Sequence, residues 1–432
     1  MLRKIRIAAA AFFFVLTTLL FLDFTGTLHA WFGWMAKIQF LPALLALNVG
    51  VVAFLVILTL LFGRVYCSVI CPLGVMQDIV SWASGKRRKH RNRFAYSPAL
   101  TWLRRGMLVV FVAAMLAGVG SLLAPYSAYG RIASNLLAPV YAWGNNLLAY
   151  IAGRMDSYAF YSVDVWMKSL STLLVAVVTF AVLFVLAWRS GRTYCNTICP
   201  VGTVLGFLAR YSLFKPRFDT SKCNGCKLCA RNCKASCIDP AAHKIDYSRC
   251  VACMDCLENC RQGAITYTLR RRKPDPAPAP QRPAADAAKT PSDASRRRFL
   301  GLAGIVAYSA LRAQEKKVDG GLAVIVDKKI PNRATPVVPP GAQSLRHFNA
   351  HCTGCQLCVS VCPNQVLRPS GKLMTLMQPE MSFERGYCRP ECTKCAEVCP
   401  TGAIRLTDLA GKSSIQIGHA VWIAENCEVN TD

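Results

Sequence analysis

The composition of the chain is that of a membrane protein carrying soluble domains. Of its 432 residues, 53% are hydrophobic and 17% are charged, and the formal net charge is +28. This length predicts about two to three domains, and such an apolar excess is typical of membrane proteins with soluble attachments. The basic residues collect in short loops beside apolar runs, without interleaved aromatic side chains. They therefore indicate membrane topology and exclude nucleic acid as a partner.

Four apolar segments predict membrane-spanning helices, because each is long enough to cross about 30 Å of hydrocarbon. They cover residues 7–28, 40–62, 106–124 and 169–188. The apolar stretch 132–152 holds Asn135, Asn145 and Asn146, and we expect it to form an interfacial or re-entrant piece. The basic run 86–93 separates the second and third segments. Since positive charge stays inside, the amino terminus, this run and the chain after the fourth segment are expected to be cytoplasmic.

A short motif occurs twice, as G-R-V-Y-C-S-V-I-C-P-L-G at residues 63–74 and as G-R-T-Y-C-N-T-I-C-P-V-G at residues 191–202. Both copies follow a segment predicted to run inward, so a parallel pseudo-two-fold arrangement would place them at the same depth. Their cysteines would form an additional four-thiolate metal or cluster site, act as redox thiols, or only pack. The cysteines concerned are Cys67, Cys71, Cys195 and Cys199.

Two runs of four cysteines follow the apolar region, each with the spacing C-x2-C-x2-C-x3-C. This is the spacing of two-cluster ferredoxins, in which three cysteines of one run and the last cysteine of the other bind each [4Fe–4S] cluster. A structural zinc ribbon is the alternative, but zinc uses two pairs of ligands and would leave two cysteines of each run idle. One predicted ligand set is Cys223, Cys226, Cys229 and Cys260, and the other is Cys250, Cys253, Cys256 and Cys233.

The paired Y-C-x3-C-P-x-G motifs, followed by this dicluster module, resemble the membrane polyferredoxins. That family includes NapH-type subunits and the ferredoxin half of NosR-type proteins. The resemblance covers residues 1–270 and implies electron transfer. The chain departs from the family pattern in lacking proline after Cys233 and Cys260. It also has an extra cysteine, Cys237, so either Cys233 or Cys237 supplies the crossing ligand, and the spacing favours Cys233.

The composition changes abruptly after residue 273. Residues 274–294 are rich in Pro, Ala, Asp and Ser and predict an extended linker. Residues 295–313 contain Ser-Arg-Arg-Arg-Phe-Leu and a short apolar stretch, which predict a twin-arginine export signal that remains as a fifth membrane anchor. That route carries folded cargo, as a cluster-loaded domain requires. The alternative is a basic surface helix of a wholly cytoplasmic protein. A further linker is expected over residues 314–340.

The carboxy-terminal residues 341–432 predict a second dicluster ferredoxin. Its second cysteine run has one extra residue in the first gap, and Cys427 stands outside both runs. One predicted ligand set is Cys352, Cys355, Cys358 and Cys399, and the other is Cys388, Cys392, Cys395 and Cys362. Together with the twin arginines, the P-P-G-A at residues 339–342 resembles NapG-type periplasmic ferredoxins.

The sequence thus predicts a polytopic α-helical membrane protein, with four spans plus a fifth anchor and two α+β dicluster ferredoxin-like domains. The expected divisions are a membrane domain at 1–215, a cytoplasmic ferredoxin at 216–273 and a periplasmic ferredoxin at 341–432. We expect a bacterial inner-membrane protein with four [4Fe–4S] clusters. No haem is predicted, since C-x2-C-H does not occur and the histidines lie outside the apolar segments or at their edges.

The predicted function is electron transfer from the quinone pool or a cytoplasmic donor to a periplasmic reductase or c-type cytochrome, as in NapH and NapG fused into one chain. Quinol oxidation is implied by the resemblance alone. The sequence shows no catalytic residues for converting an organic substrate. The alternative is a maturation factor, a membrane thiol or metal reductase serving copper or oxidase assembly, in which the C-x3-C-P pairs would be the working site.

Overall fold

The computed structural model describes residues 1–87, 94–117, 122–165, 167–269, 335–372, 375–384 and 386–417. One compact unit comprises Met1–Arg272 and Arg333–Asp432. Some predictions fall outside the described residues: the linker at 274–294, the twin-arginine anchor at 295–313, most of the linker at 314–340, and Cys427.

In its described parts, the chain up to residue 213 contains helices joined by irregular segments and no strands. Its helices are α1 (Leu2–Leu22), α2 (Thr27–Phe32), α3 (Trp34–Lys37), α4 (Phe40–Leu45), α5 (Val49–Phe62), α6 (Val65–Val69), α7 (Pro72–Arg87), α8 (Thr101–Leu116), α9 (Pro125–Ile132), α10 (Ala138–Arg154), α11 (Leu170–Ser190), α12 (Thr193–Thr197) and α13 (Pro200–Ala209). A π-helical turn at Ala133–Leu137 joins α9 to α10.

Two helices in the described ranges, α1 and α11, are long and apolar enough to cross a membrane, and each has 21 residues. They coincide with the first and fourth predicted spans. The second predicted span, 40–62, is interrupted. Leu47 has a φ of +53°, and the Asn48 side chain caps α5 by accepting a hydrogen bond from the Val51 amide. Helix α5 has 14 residues, about 21 Å, which is short of the hydrocarbon thickness.

The third predicted span, 106–124, corresponds to α8, which has 16 residues and ends at Leu116. The predicted interfacial stretch 132–152 lies in a helical run from Pro125 to Arg154. Its asparagines do not break that run. Asn135 donates to the carbonyl of Arg131, four residues earlier, and to the side chain of Gln356, and Asn146 bonds to the backbone of Val163. The described residues therefore support two of the predicted spans and do not support a topology of four to five spans.

Both cysteine-rich regions fold into small α+β domains. The first ferredoxin domain contains β1 (Phe214–Phe218), α14 (Leu228–Arg231), β2 (Ile238–Asp239), β3 (Lys244–Ile245), α15 (Asp255–Asn259) and β4 (Ile265–Leu269). Strand β1 pairs antiparallel with β4, and β2 with β3. The second contains α16 (Leu345–His351), α17 (Leu357–Ser360), β5 (Leu367–Pro369), β6 (Pro379–Met381), α18 (Lys394–Glu397) and α19 (Leu409–Ser414). Its strands β5 and β6 pair antiparallel.

The two ferredoxin domains lie at opposite ends of α1. At the amino-terminal end, the Arg3 guanidinium pairs with Asp255 of the first domain at 2.8 Å. At the other end, Lys394 of the second domain donates to the carbonyl of Thr25 at 3.1 Å. A helix of 21 residues separates these contacts by about 31 Å along its axis.

Helix α11 runs between the same two domains in the opposite direction. Just before it, Lys168 donates to the carbonyl of Val359 in the second ferredoxin domain at 3.2 Å. Just after it, the amide of Arg192 donates to the carbonyl of Lys234 in the first domain at 2.9 Å. The two helices that are long enough to span a membrane are therefore antiparallel, with one ferredoxin domain at each end of the pair.

Candidate metal centres

One pocket of the first ferredoxin domain is lined by four cysteines that come from both runs, together with apolar side chains such as Phe218 and Ile265. Its cysteines are Cys223, Cys226, Cys229 and Cys260. About 400 Å³ of space lies between the surrounding atoms. This is the set that crossed ligation would use, with the last cysteine of the second run joining the first three of the first run.

A second pocket of about 400 Å³ is lined by Cys233, Cys250, Cys253 and Cys256, the other crossed set, and also by Cys237. The sulfurs of Cys233 and Cys237 lie 3.5 Å apart. The hydrogen bond from Cys237 lowers the pKa of the Cys233 thiol to about 7. Hydrogen bonds to Cys233 and Cys250 raise the pKa of Cys237 well above its ordinary value. The structure thus brings both candidates for the crossing ligand to one pocket, with their sulfurs in contact.

The second ferredoxin domain repeats this arrangement. A pocket of about 330 Å³ is lined by Cys362, Cys388, Cys392 and Cys395, three cysteines of the last run and one of the preceding run. The buried ammonium of Lys412 donates to the Cys388 sulfur at 3.5 Å. A cation at this position favours the thiolate form that binds iron.

The remaining crossed set is also brought together. Its members, Cys352, Cys355, Cys358 and Cys399, lie within electrostatic range of one another. Burial raises the pKa of the Cys355 thiol to about 12, so a thiolate there needs a positive partner such as a metal. The amide of Ile404 donates to the Cys399 sulfur at 3.5 Å.

The backbone around three of the four runs has one shared conformation that suits an anionic cluster. In each, the residue directly after the middle cysteine has a positive φ: Lys227 at 57°, Met254 at 63° and Gln356 at 67°. The residue just before that cysteine is also left-handed, as at Gly225 and Gly354. Left-handed residues turn successive amides into a concave nest, which is a common feature of iron–sulfur sites. The donor set and backbone therefore fit [4Fe–4S] clusters.

The fourth run differs, because it has the extra residue noted above. Thr393, which follows Cys392, has a φ of −110°. This run still contributes three cysteines to its pocket.

Within the described ranges, no group of three or more His, Cys, Asp or Glu side chains is arranged to hold a single metal ion.

The two copies of the repeated motif converge in the core of the helical domain. Each of their four cysteines, Cys67, Cys71, Cys195 and Cys199, is only 5% exposed and is not disulfide-bonded. The copies bond reciprocally: the Arg64 guanidinium donates to the carbonyl of Cys195 at 3.2 Å, and that of Arg192 donates to the carbonyl of Cys67 at 2.6 Å. We call this four-cysteine group the central tetrad.

Glycines make that reciprocal contact possible. A Cβ on Gly74 would lie 2.7 Å from the Arg192 guanidinium, and one on Gly202 would lie 2.8 Å from that of Arg64. These are the final glycines of the two motif copies. The same Cβ atoms would lie still closer, at 2.3 Å, to the carbonyls of Cys67 and Cys195, so both copies require glycine at this position.

Comparisons with known proteins agree with the iron–sulfur chemistry of these sites. A family model described as a 4Fe-4S binding domain matches residues 44–90 and 172–221, which contain the two motif copies. A second, described as a 4Fe-4S dicluster domain, matches residues 351–403. The chain thus contains ferredoxin-type [4Fe–4S] domains, and iron–sulfur clusters are its cofactors. No solved structure matches the chain.

Several curated proteins resemble the chain over part of its length. It is 25% identical over 214 residues to an uncharacterized protein of Methanocaldococcus jannaschii, covering 49% of this chain and 68% of that protein. It is 28% identical to the methylamine utilization ferredoxin-type protein MauN of Paracoccus denitrificans, covering 40% and 48%. It is 29% identical to the ferredoxin-type protein NapH of Escherichia coli, covering 45% and 55%. The chain spans about half the length of most of these relatives. Their similarity supports a relationship to the polyferredoxin family.

Sequence reasoning identified the cysteines but missed the groups that surround their sulfurs. The left-handed residues Lys227, Met254 and Gln356 carry no residue-type signal, since none is glycine or asparagine. Gln77, which donates to the Cys195 sulfur at 3.3 Å, lies outside the repeated motif. Arg64 lies within the motif, and the second copy has Arg192 at the same position. This repeated arginine is the sequence signal that could have identified both residues.

Proposed function

We propose that this protein is a membrane-bound electron-transfer protein that moves electrons across a bacterial inner membrane between two pairs of [4Fe–4S] clusters. The amino terminus and the first ferredoxin domain would be cytoplasmic, and the second ferredoxin domain periplasmic. The donor would be the quinone pool or a cytoplasmic reductant. The acceptor would be a periplasmic reductase or a c-type cytochrome, as in a fusion of NapH-type and NapG-type proteins.

The observation that carries this proposal is the presence of cysteine-lined pockets beyond both ends of the same apolar helix. Helix α1 contacts the first ferredoxin domain through Arg3 and the second through Thr25. Since α1 is about as long as the hydrocarbon core is thick, the two domains would face opposite sides of a membrane. A wholly cytoplasmic ferredoxin hub would have no use for this separation.

The chain's own residues would hold the clusters and set their electrostatic surroundings. The crossed sets of cysteines supply the thiolates, and the left-handed loops supply backbone amides. When bound, such clusters accept and release single electrons. Lys412 beside Cys388 and Lys168 beside Cys358 and Cys362 would place positive charge near the sulfurs of the second domain. Nearby cations favour the reduced, more negative state of a cluster.

Electron transfer through the full-length protein in liposomes tests the proposal. Ferricyanide is trapped inside, dithionite is added outside, and the loss of ferricyanide absorbance is recorded. We expect a rate well above that of protein-free liposomes, and a rate near the protein-free value for a Cys226→Ser, Cys392→Ser double variant. If wild-type protein whose clusters are reduced by dithionite leaves the ferricyanide untouched, the transmembrane function is wrong.

The alternative of a membrane thiol or metal reductase requires cysteines that reach a substrate. All four cysteines of the central tetrad are 5% exposed, and their sulfurs accept hydrogen bonds from Gln77, Gly202 and Arg64. This burial favours a redox role within the protein over direct reaction with a copper ion or a thiol substrate.

A further inference from the structure

The sulfurs of the central tetrad lie where the fold offers them N–H donors. Cys199 precedes Pro200, the first residue of α13, and its sulfur accepts a hydrogen bond from the Gly202 amide at 3.3 Å. Cys71 precedes Pro72 at the start of α7, and its sulfur faces the Gly74 amide in the same way. The amino-terminal ends of helices favour negative charge. Both motif copies therefore build the same hydrogen-bonded sulfur position at the start of a helix.

The other two sulfurs receive hydrogen bonds from side chains. Gln77 donates to the Cys195 sulfur at 3.3 Å, and the Arg64 guanidinium approaches the Cys67 sulfur at 3.7 Å. All four sulfurs thus have an N–H donor, as the thiolate ligands of metal centres usually do. Cysteines that served only to fill space would need none of these donors.

Charge balance gives an independent argument. Arg64 is fully buried and, within the described residues, makes no ion pair with a carboxylate; its donors reach Asn196, Ser248, Cys195 and Cys67. A buried guanidinium without a counter-charge is strongly unfavourable. The charges close enough to neutralise it are those of the tetrad thiolates.

Arg192, its counterpart in the second copy, is neutralised differently. Its guanidinium pairs with Asp78 at 2.8 Å. Arg64 therefore brings a positive charge to the site, and the tetrad sulfurs beside it are the groups that can balance that charge as thiolates. Four thiolates without a metal would over-compensate it, whereas four thiolates around iron carry a smaller net charge.

The tetrad also lies between the two ferredoxin domains. Arg64 contacts both the Cys67 sulfur and the carbonyl of Ser248, two residues before Cys250 of the first domain. On the other side, Tyr194, adjacent to Cys195, donates to the carbonyl of Leu123. The next helix, α9, contacts the second domain so closely that a Cβ on Gly130 would lie 2.4 Å from the carbonyl of Cys355.

We infer that Cys67, Cys71, Cys195 and Cys199 hold an iron–sulfur cluster that relays electrons between the two ferredoxin domains. The role as relay rests on the proposed transmembrane function, whereas the ligand assignment does not. Each hop moves one electron: the donor cluster is oxidised, the acceptor is reduced, and no bond is made or broken. Because tunnelling falls off exponentially with distance, a centre here divides a membrane-wide gap into two shorter hops.

Metal analysis and electron paramagnetic resonance of the full-length protein, purified without oxygen, test the site. The Cys67→Ser, Cys195→Ser double variant should lose about two irons per chain for a [2Fe–2S] cluster or about four for a [4Fe–4S] cluster. One spectral component should disappear while those of the ferredoxin domains remain. Ser68→Ala, at the buried residue beside Cys67, is the matched control and should keep all its iron. Circular dichroism verifies that each variant folds.

An unchanged iron content with an unchanged spectrum in the folded double variant would overturn the inference, as would one zinc per chain lost in place of iron. A milder substitution guards against a folding defect. Arg64→Gln should lower the midpoint potential of the tetrad component, because a cation that favours the reduced state is removed, whereas Arg64→Lys should largely preserve it. Equal potentials in both variants and in the wild type would also contradict the assignment.

The liposome assay separates this inference from the proposed function. If wild-type protein transfers electrons to trapped ferricyanide, the double variant should reduce transfer to the protein-free rate, although dithionite still reduces its outward-facing ferredoxin clusters. If the double variant transfers at the wild-type rate, the relay is wrong. If wild-type protein transfers none, the proposed function fails, and the iron content and spectrum still decide whether the tetrad holds a cluster.

Discussion

The two ferredoxin domains are attached to the helical domain in different ways. The first has a hydrophobic core of its own, around Ile238, Ile245 and Ile265. It meets the helices through ion pairs and hydrogen bonds, with a smaller apolar contribution from Val251 and Phe214. The second shares one continuous core with the helices, in which Phe348 and Leu357 belong to the same cluster as Phe21 and Tyr126. Ion pairs to the helices occur at the first domain, whereas the second is attached chiefly through apolar burial, supplemented by hydrogen bonds.

This difference has physical consequences for a chain of redox centres. A partly exposed ion pair such as Arg3–Asp255 weakens with salt, whereas separating an apolar interface exposes hydrophobic surface at a cost proportional to its area. The first domain should therefore detach or loosen under conditions that leave the second in place. Substitutions at the two interfaces test this difference in attachment.

The largest effect is expected at Asp78, which joins the helices to the first ferredoxin domain. Its carboxylate pairs with Arg6 and Arg192 and lies 3.6 Å from Lys234. Asp78→Asn removes the carboxylate that pairs with Arg6 and Arg192, whereas Lys234 keeps its pair with Asp255 at 2.9 Å. We therefore expect a loss of about 3–5 kcal/mol in the free energy of unfolding. Denaturant unfolding measures it, with the exposed Asp156→Asn as control. Equal stability of the two variants would contradict the central role of this carboxylate.

The same group predicts a pH dependence. Burial alone would raise the pKa of Asp78, but Arg192, Lys234 and Arg6 outweigh it and hold the pKa well below its usual range. Because the folded-state pKa is lowered, the stabilisation is fully present above the ordinary aspartate pKa of 3.8 and is lost as the pH falls below it. Stability measured against pH should decline in acid for the wild type and less steeply for Asp78→Asn. Parallel curves would be inconsistent with this pairing.

A smaller but domain-specific effect is expected at Gly130 on α9. An added Cβ would lie 2.4 Å from the carbonyl of Cys355 and 2.9 Å from the Phe21 ring. Gly130→Ala should cost about 1–3 kcal/mol through overpacking. Hydrogen exchange should show the loss of protection in residues 345–417. Gly144→Ala, on α10 with nothing within 4 Å, is the control and should be neutral or stabilising by up to about 1 kcal/mol.

The corresponding substitution at the first ferredoxin domain tests whether its attachment differs from that of the second. A Cβ on Gly206 would lie 2.4 Å from the carbonyl of Ser248, so Gly206→Ala strains a polar contact to a domain with its own core. The exchange protection of β2, β3 and β4 should survive this substitution. If Gly206→Ala unfolded the first domain as readily as Gly130→Ala unfolds the second, the two attachments would be equivalent after all.

The cysteine sets were predictable because their information is local. The spacing of Cys223, Cys226 and Cys229 allows one loop to direct three sulfurs inward, and crossing by Cys260 follows from the pairing of two such loops. The second predicted span was wrong for a similarly local reason. Average hydropathy over 40–62 hides the helix cap at Asn48, which ends one helix and begins another.

Tertiary contacts account for what could not be predicted. The hydrogen bond between Cys237 and Cys233 depends on how the chain turns after α14, and the bond from Arg64 to Cys195 joins residues from two motif copies far apart in sequence. The shared core of the second ferredoxin domain is of the same kind. Phe348 and Leu357 are ordinary apolar residues whose burial partners no single sequence reveals.

A modest effect is expected from the ion pairs at the start of α1. Arg3 pairs with Asp255 at 2.8 Å and with Glu258, and it is about one third exposed. Arg3→Gln should reduce the protection of the first ferredoxin domain by about 1 kcal/mol or less, as partly exposed ion pairs do. Raising the salt concentration should reproduce this loss in the wild type and add little in the variant. Additive effects of salt and substitution would show that other charges hold the domain.

The smallest effect is expected at the opposite end of α1. Lys394 donates to the backbone carbonyl of Thr25 at 3.1 Å and, among the described residues, makes no ion pair with a carboxylate. Lys394→Gln should therefore change the protection of the second ferredoxin domain by no more than about 0.5–1 kcal/mol, the worth of one exposed hydrogen bond. That protection should also be insensitive to salt in both proteins, because apolar burial holds the domain. A salt dependence as strong as that of the first domain would remove the distinction between the two attachments.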